Sequence, residues 1–206
     1  MAADRIPLFP LDVVLYPGMP LPLHIFEPRY KLMTRRCVAR HSEFGVVLAR
    51  KDGFARVGCT AEILKVVREY PDGRLDILTM GQTICRILKV FEEQPYLEAE
   101  VDFLDDGSEE EVPPPSSELV RLHQECHLLV FGRPPDALNP EARWGVAFQI
   151  AAELPLDLEM KQALLETPGE IARQGRLVEH LKTTLPQLAR IEVRRRKAGG
   201  NGHGGN

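Results

Sequence analysis

Residues Ile6–Tyr30 read IPLFPLDVVLYPGMPLPLHIFEPRY, and the N-terminal half takes its meaning from them. Prolines at 7, 10, 17, 20, 22 and 28 separate short apolar pieces: Ile6 to Phe9, Val13 to Tyr16 and Leu21 to Phe26. Proline has no N–H to give to a ladder, so these pieces predict short edge-type strands broken by turns. Tyr16-Pro17-Gly18 suits a turn with proline at its second position. In Leu21-Pro22-Leu23-His24-Ile25 the aliphatic residues alternate, as they do in a strand with one buried face. Pro28 then suits the first turn of a helix, along which Tyr30, Met33 and Cys37 recur at helical spacing, with an end near Arg40.

Working outward, the strand pattern returns in Phe44–Ala49, Val57–Val67, Arg74–Met80, Thr83–Phe91 and Tyr96–Leu104, all rich in Val, Ile and Leu. Pro71-Asp72-Gly73 supplies the turn of a hairpin. About seven or eight short strands and one helix close most naturally into a small barrel. Residues 105–117 (DDGSEEEVPPPSS) are too acidic and proline-rich to repay ordering, so they predict a linker. Beyond it the period is helical. Glu118–Phe131 places Leu119, Leu122, Cys126 and Leu129 at spacings of three and four. A second helix is expected from Asn139-Pro140, carrying Trp144, Phe148 and Ala151, and a third is expected with Asp157 as its cap. Thr167-Pro168-Gly169-Glu170 reads as a capping box opening a fourth, with Pro186 as a point of kinking or interruption. The expected organisation is a barrel over residues 1–104, a linker over 105–117, a helical bundle over 118–197 and a disordered tail over 198–206.

Composition narrows the function classes. With 44% hydrophobic and 27% charged residues, the 206-residue chain is neither disordered, nor a coiled coil, nor a disulfide scaffold. A net charge of −4 gives no global attraction to nucleic acid or anionic lipid. No apolar run approaches the roughly 18–20 residues of a membrane span. The opening MAADRIPLFPLDVV lacks a basic region and a cleavage site, so the expected location is the cytoplasm. Cys37, Cys59, Cys85 and Cys126 show no C-x-x-C spacing and read as small core residues.

Chemical motifs are scarce. No lysine follows a glycine, which excludes the phosphate-cradling G-x-x-x-x-G-K-[ST] loop. The serines are Ser42, Ser108, Ser116 and Ser117, and none forms a G-x-S-x-G elbow or an S-x-x-K pair. His123 and His127 share one helix face as metal pairs do, yet the intervening Gln124-Glu125-Cys126 matches no zinc signature. They read as partly exposed histidines of an amphipathic helix. Arg190, Arg194, Arg195, Arg196 and Lys197 form a basic run that reads as a solvated helix end. No cofactor, metal or catalytic residue is expected. Phe9, Tyr16, Phe26 and Tyr30 supply more apolar material than short strands need, either plugging the barrel or offering extended peptides a sticky surface.

The opening stretch resembles that of the LON substrate-binding domain, the N-terminal domain of ATP-dependent Lon protease, and most closely its free-standing bacterial members. The similarity continues through Phe44–Leu48 (FGVVL), Val57–Ala61 (VGCTA), Gly81-Gln82 and Pro95–Val101 (PYLEAEV), then Ala151–Asp157 (AAELPLD) and Lys161–Glu166 (KQALLE). It implies an α+β fold, a PUA-like β-barrel followed by an α-helical bundle, and a part in handling protein substrates. The ATPase and Ser-Lys peptidase domains that follow in Lon are missing from this sequence, so no catalytic residue carries over. The expected function is a non-enzymatic module recognising unfolded or extended polypeptide, in company with a protease or chaperone system. Phe9, Phe26 and Tyr30 are its candidate contacts, and the oligomeric state is left open. The alternative is an RNA-binding PUA-like module, against which the acidic balance counts. A small-ligand or enzymatic site in the barrel mouth lacks a convergent set of acid, base and nucleophile.

Overall fold

In chain order the N-terminal elements are β1 (Arg5–Leu11), β2 (Pro20–Ile25), α1 (Pro28–Arg40), β3 (Phe44–Arg50), β4 (Gly53–Phe54), β5 (Val57–Glu69), β6 (Leu75–Phe91) and β7 (Glu98–Phe103). The computed structural model describes the backbone of residues 5–104, 113–140, 142 and 144–200, with side chains through Arg190. The chain forms two compact units, Met1–Glu109 with Leu156–Pro168, and Glu110–Pro155 with Gly169–Asn206.

In the first unit, β1 pairs with β7 and β3, β7 with β6, β6 with β5, and β5 with β3, so the pairing closes on itself. This is the expected barrel, reached with a different use of proline. β1 is not an edge strand. Its residues Arg5–Pro7 pair with β7 and Leu8–Leu11 with β3, so Pro7 and Pro10 each sit where only one side of the strand is occupied. Successive residues Leu8 and Phe9 point into two different apolar clusters. Leu8 joins Val47, Cys85, Ile87, Ala99 and Val101, whereas Phe9 joins Leu15, Tyr30, Met33, Phe44 and Ile77.

Two expected strands are one. Arg74–Met80 and Thr83–Phe91 run together as β6, because Gly81 lets the chain pass without interruption. A β-carbon there would lie 2.1 Å from the Tyr16 carbonyl oxygen, and Gly81 exchanges backbone bonds with Gly18 (2.8 Å) and Met19 (3.0 Å). The same crowding explains why Val13–Tyr16 forms no strand: Val14, Leu15 and Tyr16 are buried in an irregular segment wedged against β6. The helix α4 (Leu158–Leu165) belongs with these strands. Asp157 caps it as expected, accepting from Met160 N–H at 2.7 Å. Tyr16 Oη donates to the Lys161 carbonyl (2.9 Å) and Gln162 Nε2 to that of Val57 (2.9 Å). The expected 118–197 helical segment is therefore shared between the two units.

The second unit holds α2 (Ser117–Phe131), α3 (Val146–Glu153) and α5 (Glu170–Gly200), with α2 and α3 packed on α5. Ser116 caps α2 by accepting from Leu119 N–H at 3.2 Å. The second expected helix begins at Val146, not Asn139-Pro140, so Trp144 precedes it. The capping box does not form. Gly169 takes φ 78°, α5 begins at Glu170, and the Glu170 carboxylate instead accepts from Val146 and Ala147 N–H at the start of α3. Helix α5 continues through Pro186. Residues 105–112 of the expected linker and 201–206 of the expected tail lie outside the described residues.

Candidate protein-binding surface

Residues Leu75–Met80 of β6 are flanked by β2 on one side and by Glu62–Glu69 of β5 on the other. One face of this three-stranded platform is sealed by α1, where Leu21, Ile25, Leu75 and Ile77 meet Tyr30, Met33 and Cys37. The three aromatic candidates part company here. Phe9 (6% exposed) and Tyr30 (7%) are core residues, their ring centroids 4.1 Å apart, and burial raises the Tyr30 phenol pKa, against which the Arg29 charge works. Phe26, 60% exposed, stands outside. The alternation that turns Leu21, Leu23 and Ile25 inward already assigns residue 26 to the opposite side, a signal present in the sequence.

Around Phe26 is a polar and aromatic cluster that sequence reasoning missed. Its ring stacks on His24 (centroids 6.1 Å, 24° between planes), and Tyr70 meets His24 edge-on at 5.8 Å. Asp76 joins them, with His24 Nδ1 2.5 Å from Oδ1 and Tyr70 Oη donating to Oδ2 at 2.8 Å. The bond to His24, followed by that to Tyr70, holds the Asp76 carboxyl below the usual range, while accepting from Tyr70 raises the phenol's pKa. The guanidinium groups of Arg68 and Arg74 lie 4.5 and 4.9 Å from the Tyr70 ring centre. The cluster is an exposed apolar ring backed by hydrogen-bonded polar groups.

Along the other side of the platform, β5 leaves β3 after the pair Phe44 and Ala61. From Glu62 onward it has β6 alone, and no strand pairs with its outer edge among the described residues. Shifts of register leave Leu64 and Val67 as extra residues in bulges, and both are exposed. Between this edge and the end of α1 lies a groove of about 250 Å³, lined by Cys37, Val38, His41, Ser42 and residues 62–66.

Elsewhere the chemistry is quiet. Burial pushes the Cys37 and Cys126 thiols up, Cys59 well up and Cys85 up to about 12, so none is poised as a thiolate nucleophile. His123 (1% exposed) and His127 (4%) are buried, contrary to expectation, because they continue the apolar face of Leu119, Leu122 and Cys126. His123 Nε2 lies 3.1 Å from Glu153 Oε2 and His127 Nδ1 lies 2.7 Å from the Arg133 carbonyl. Desolvation lowers the His123 pKa despite the opposing Glu153 charge. No group of three metal-ligating side chains occurs among the described residues. Of the basic run, Arg190 is exposed, and the side chains of Arg194–Lys197 lie outside the described residues.

The family model of the ATP-dependent protease La (LON) substrate-binding domain matches residues 5–183. The chain belongs to the LON substrate-binding domain family. Among members of known sequence, Lon protease 2 of Syntrophobacter fumaroxidans is 25% identical over 94% of this chain, and the Lon protease of Lawsonia intracellularis 29% over 93%. The Lon protease of Parabacteroides distasonis is 30% identical over 50% of the chain. The LON substrate-binding match spans only 26%, 25% and 14% of those three proteases. A Lon N-terminal domain protein from Xanthomonas campestris superposes with a TM-score of 0.67 at 25% identity, covering 87% of this chain and 98% of that one. The N-terminal domain of a Mycobacterium avium complex Lon protease shares the fold, with a TM-score of 0.59 at 19% identity and the same coverages. The α+β architecture of the LON substrate-binding family is thus the one described above. No helix among the described residues is long and apolar enough to cross a membrane.

Proposed function

We propose that this chain is a non-catalytic module that binds unfolded or extended polypeptide, in the cytoplasm and in company with a protease or chaperone system. The reading is carried by Phe26, a large exposed aromatic ring stacked on His24 of the His24–Tyr70–Asp76 cluster, whereas Phe9 and Tyr30 belong to the core. A fixed, exposed ring loses little conformational freedom when it meets an apolar side chain of a guest. The relatives' description as protease substrate-binding domains supports the same class of ligand.

Fluorescence anisotropy tests it, with a labelled, chemically unfolded polypeptide titrated by the whole chain at two salt concentrations. Folded protein and structured RNA run in parallel. Saturable, salt-tolerant binding to the unfolded polypeptide alone is expected, weakened roughly five- to ten-fold by Phe26→Ala. Silence toward the unfolded polypeptide together with steeply salt-dependent RNA binding overturns the proposal in favour of RNA recognition.

A further inference from the structure

The second unit has a cavity of its own, between α2 and the chain that follows it over residues 135–140. Its volume is about 370 Å³, at the lower end of the range for small-ligand sites. Pro115, Pro135 and Pro140 line it together with Val120 and Leu138, so its walls are apolar and include three rigid rings. The loop that forms one wall is pinned at both ends. His127 Nδ1 lies 2.7 Å from the Arg133 carbonyl oxygen. Asn139 N–H donates to Gln149 Oε1 (2.9 Å), and the Asn139 carbonyl accepts from Gln149 Nε2 (2.8 Å). The cavity is therefore formed before anything enters it, which lowers the cost of binding there.

His123 is the buried member of the lining. Its Nε2 is engaged by Glu153 Oε2 at 3.1 Å. A carboxylate only accepts, so the ring proton sits on Nε2. Desolvation lowers the His123 pKa against the opposing Glu153 charge, and the imidazole is neutral at pH 7. Nδ1 is then a bare acceptor, without a hydrogen-bond partner among the described residues. Among those residues, the buried side-chain atoms that lack both a partner and solvent are Thr34 Oγ1 and Gln162 Oε1. His123 Nδ1 thus keeps contact with solvent, and the cavity is where its ring meets it. Asp136 also lines the cavity, paired with Arg133 at 3.6 Å, but no lysine or arginine does.

We infer that this cavity binds a neutral aromatic ring bearing one hydrogen-bond donor, an indole or a phenol, with the donor directed to His123 Nδ1. An acceptor left without a partner in an apolar pocket is costly, and a neutral N–H or O–H is the group that satisfies it. A carboxylate or phosphate would set its own lone pairs against Nδ1, with no lysine or arginine in the lining to hold it. The preference for an aromatic ring comes from the walls. Proline C–H bonds pack on the negative face of such a ring, as when proline-rich segments dock on aromatic grooves, here with the roles exchanged. The volume suits one or two fused rings. The same chemistry has two sources, a free ring compound or a tryptophan or tyrosine side chain of a polypeptide. Neither involves Phe26, so the inference stands apart from the polypeptide-binding reading.

Free indole is the probe, titrated into the whole nitrogen-labelled chain and followed through the imidazole nitrogen resonances. Saturable binding is expected, with the unprotonated Nδ1 resonance of His123 moving upfield as it accepts a hydrogen bond. His123→Gln, which deletes that resonance, assigns it. N-Methylindole keeps the rings and lacks the donor, and it is expected to bind at least about five-fold more weakly. Ala137→Trp, at an exposed position of the lining, is expected to weaken indole roughly ten-fold while moving the melting temperature by no more than about 2 °C. Phe26→Ala is expected to leave indole binding unchanged. N-Acetyltryptophanamide separates the sources: affinity close to that of indole supports a polypeptide side chain as the occupant, and its failure beside bound indole supports a free ring compound. Equal affinity for indole and N-methylindole, an unmoved Nδ1 resonance, indifference to Ala137→Trp, loss of indole binding in Phe26→Ala or no saturable binding overturns the inference. Phe26-dependent capture of unfolded polypeptide is measured separately, so either reading can fail without the other.

Discussion

Gly145 lies so close to the Glu170 carboxylate that a β-carbon built on it would stand 2.3 Å from Oε2. That approach lets Glu170 Oε1 accept from Val146 (3.0 Å) and Ala147 (2.9 Å) N–H, two donors that the helix cannot satisfy internally. Gly145 also takes φ 78°, which a side chain rarely adopts. Gly145→Ala is expected to cost about 2–4 kcal/mol from strain and displacement of the carboxylate. Glu170→Ala is expected to cost about 2–4 kcal/mol, because it leaves both donors without their acceptor and removes one ion-pair contact of buried Arg173, 3.4 Å away. Urea unfolding reads both, and a Gly145→Ala midpoint equal to the parent's refutes this account.

Phe9 and Phe26 are expected to separate stability from binding. Phe9→Ala empties a core site between Tyr30 and Phe44 and should cost about 3–5 kcal/mol. Phe26→Ala removes an exposed ring and should leave the melting temperature within about 2 °C of the parent's. Thermal melts followed by circular dichroism decide the matter, and a large loss for Phe26→Ala would assign it a structural role.

The His123 pair predicts an acid-side weakness. Its folded pKa is lowered by desolvation, so the unfolded chain takes up the proton first. Stability is then full above the unfolded value of about 6.5 and declines as pH falls from there toward the lowered folded value. Glu153 and His127 are the titratable groups that face it. Unfolding midpoints of the parent and His123→Gln, compared at pH 7 and pH 5, should diverge at pH 7 and approach each other at pH 5.

Asp76 should act lower on the scale. Its folded pKa is held down by His24 and then Tyr70, so its contribution is present above the ordinary value of about 4 and lost as pH falls through the folded value. Asp76→Asn is expected to lower the unfolding midpoint at neutral pH, and the difference from the parent is expected to shrink as pH falls below the ordinary carboxyl value. Carbon-detected NMR titration of the carboxyl supplies the direct check.

Much of this was legible in the residues. The alternation of Leu21, Leu23 and Ile25 and the 30, 33, 37 spacing place β2 and α1 correctly, and Asp157 announces its helix. Where the reading failed, a distant partner had decided. Glu170 looks like a local cap for α5 but serves α3 twenty-three residues upstream. Gly81 looks like a break between strands, but its missing side chain is what Tyr16 needs from across the sheet. The open edge of β5 has no sequence signature at all, since it exists only because β3 turns away at Phe44.

The placement of α4 has a consequence for biosynthesis. The strands of the first unit are complete once β7 has been made, yet the helix that receives the Tyr16 hydroxyl and caps the Val57 carbonyl arrives only with residues 158–165. At about 5–20 residues per second, several seconds of synthesis separate β7 from α4, and until then the Tyr16 hydroxyl and the Val57 carbonyl lack these partners. A fragment ending at residue 109 lacks residues 156–168, so a stop codon placed at the apparent gap between barrel and helices would release an incomplete first unit.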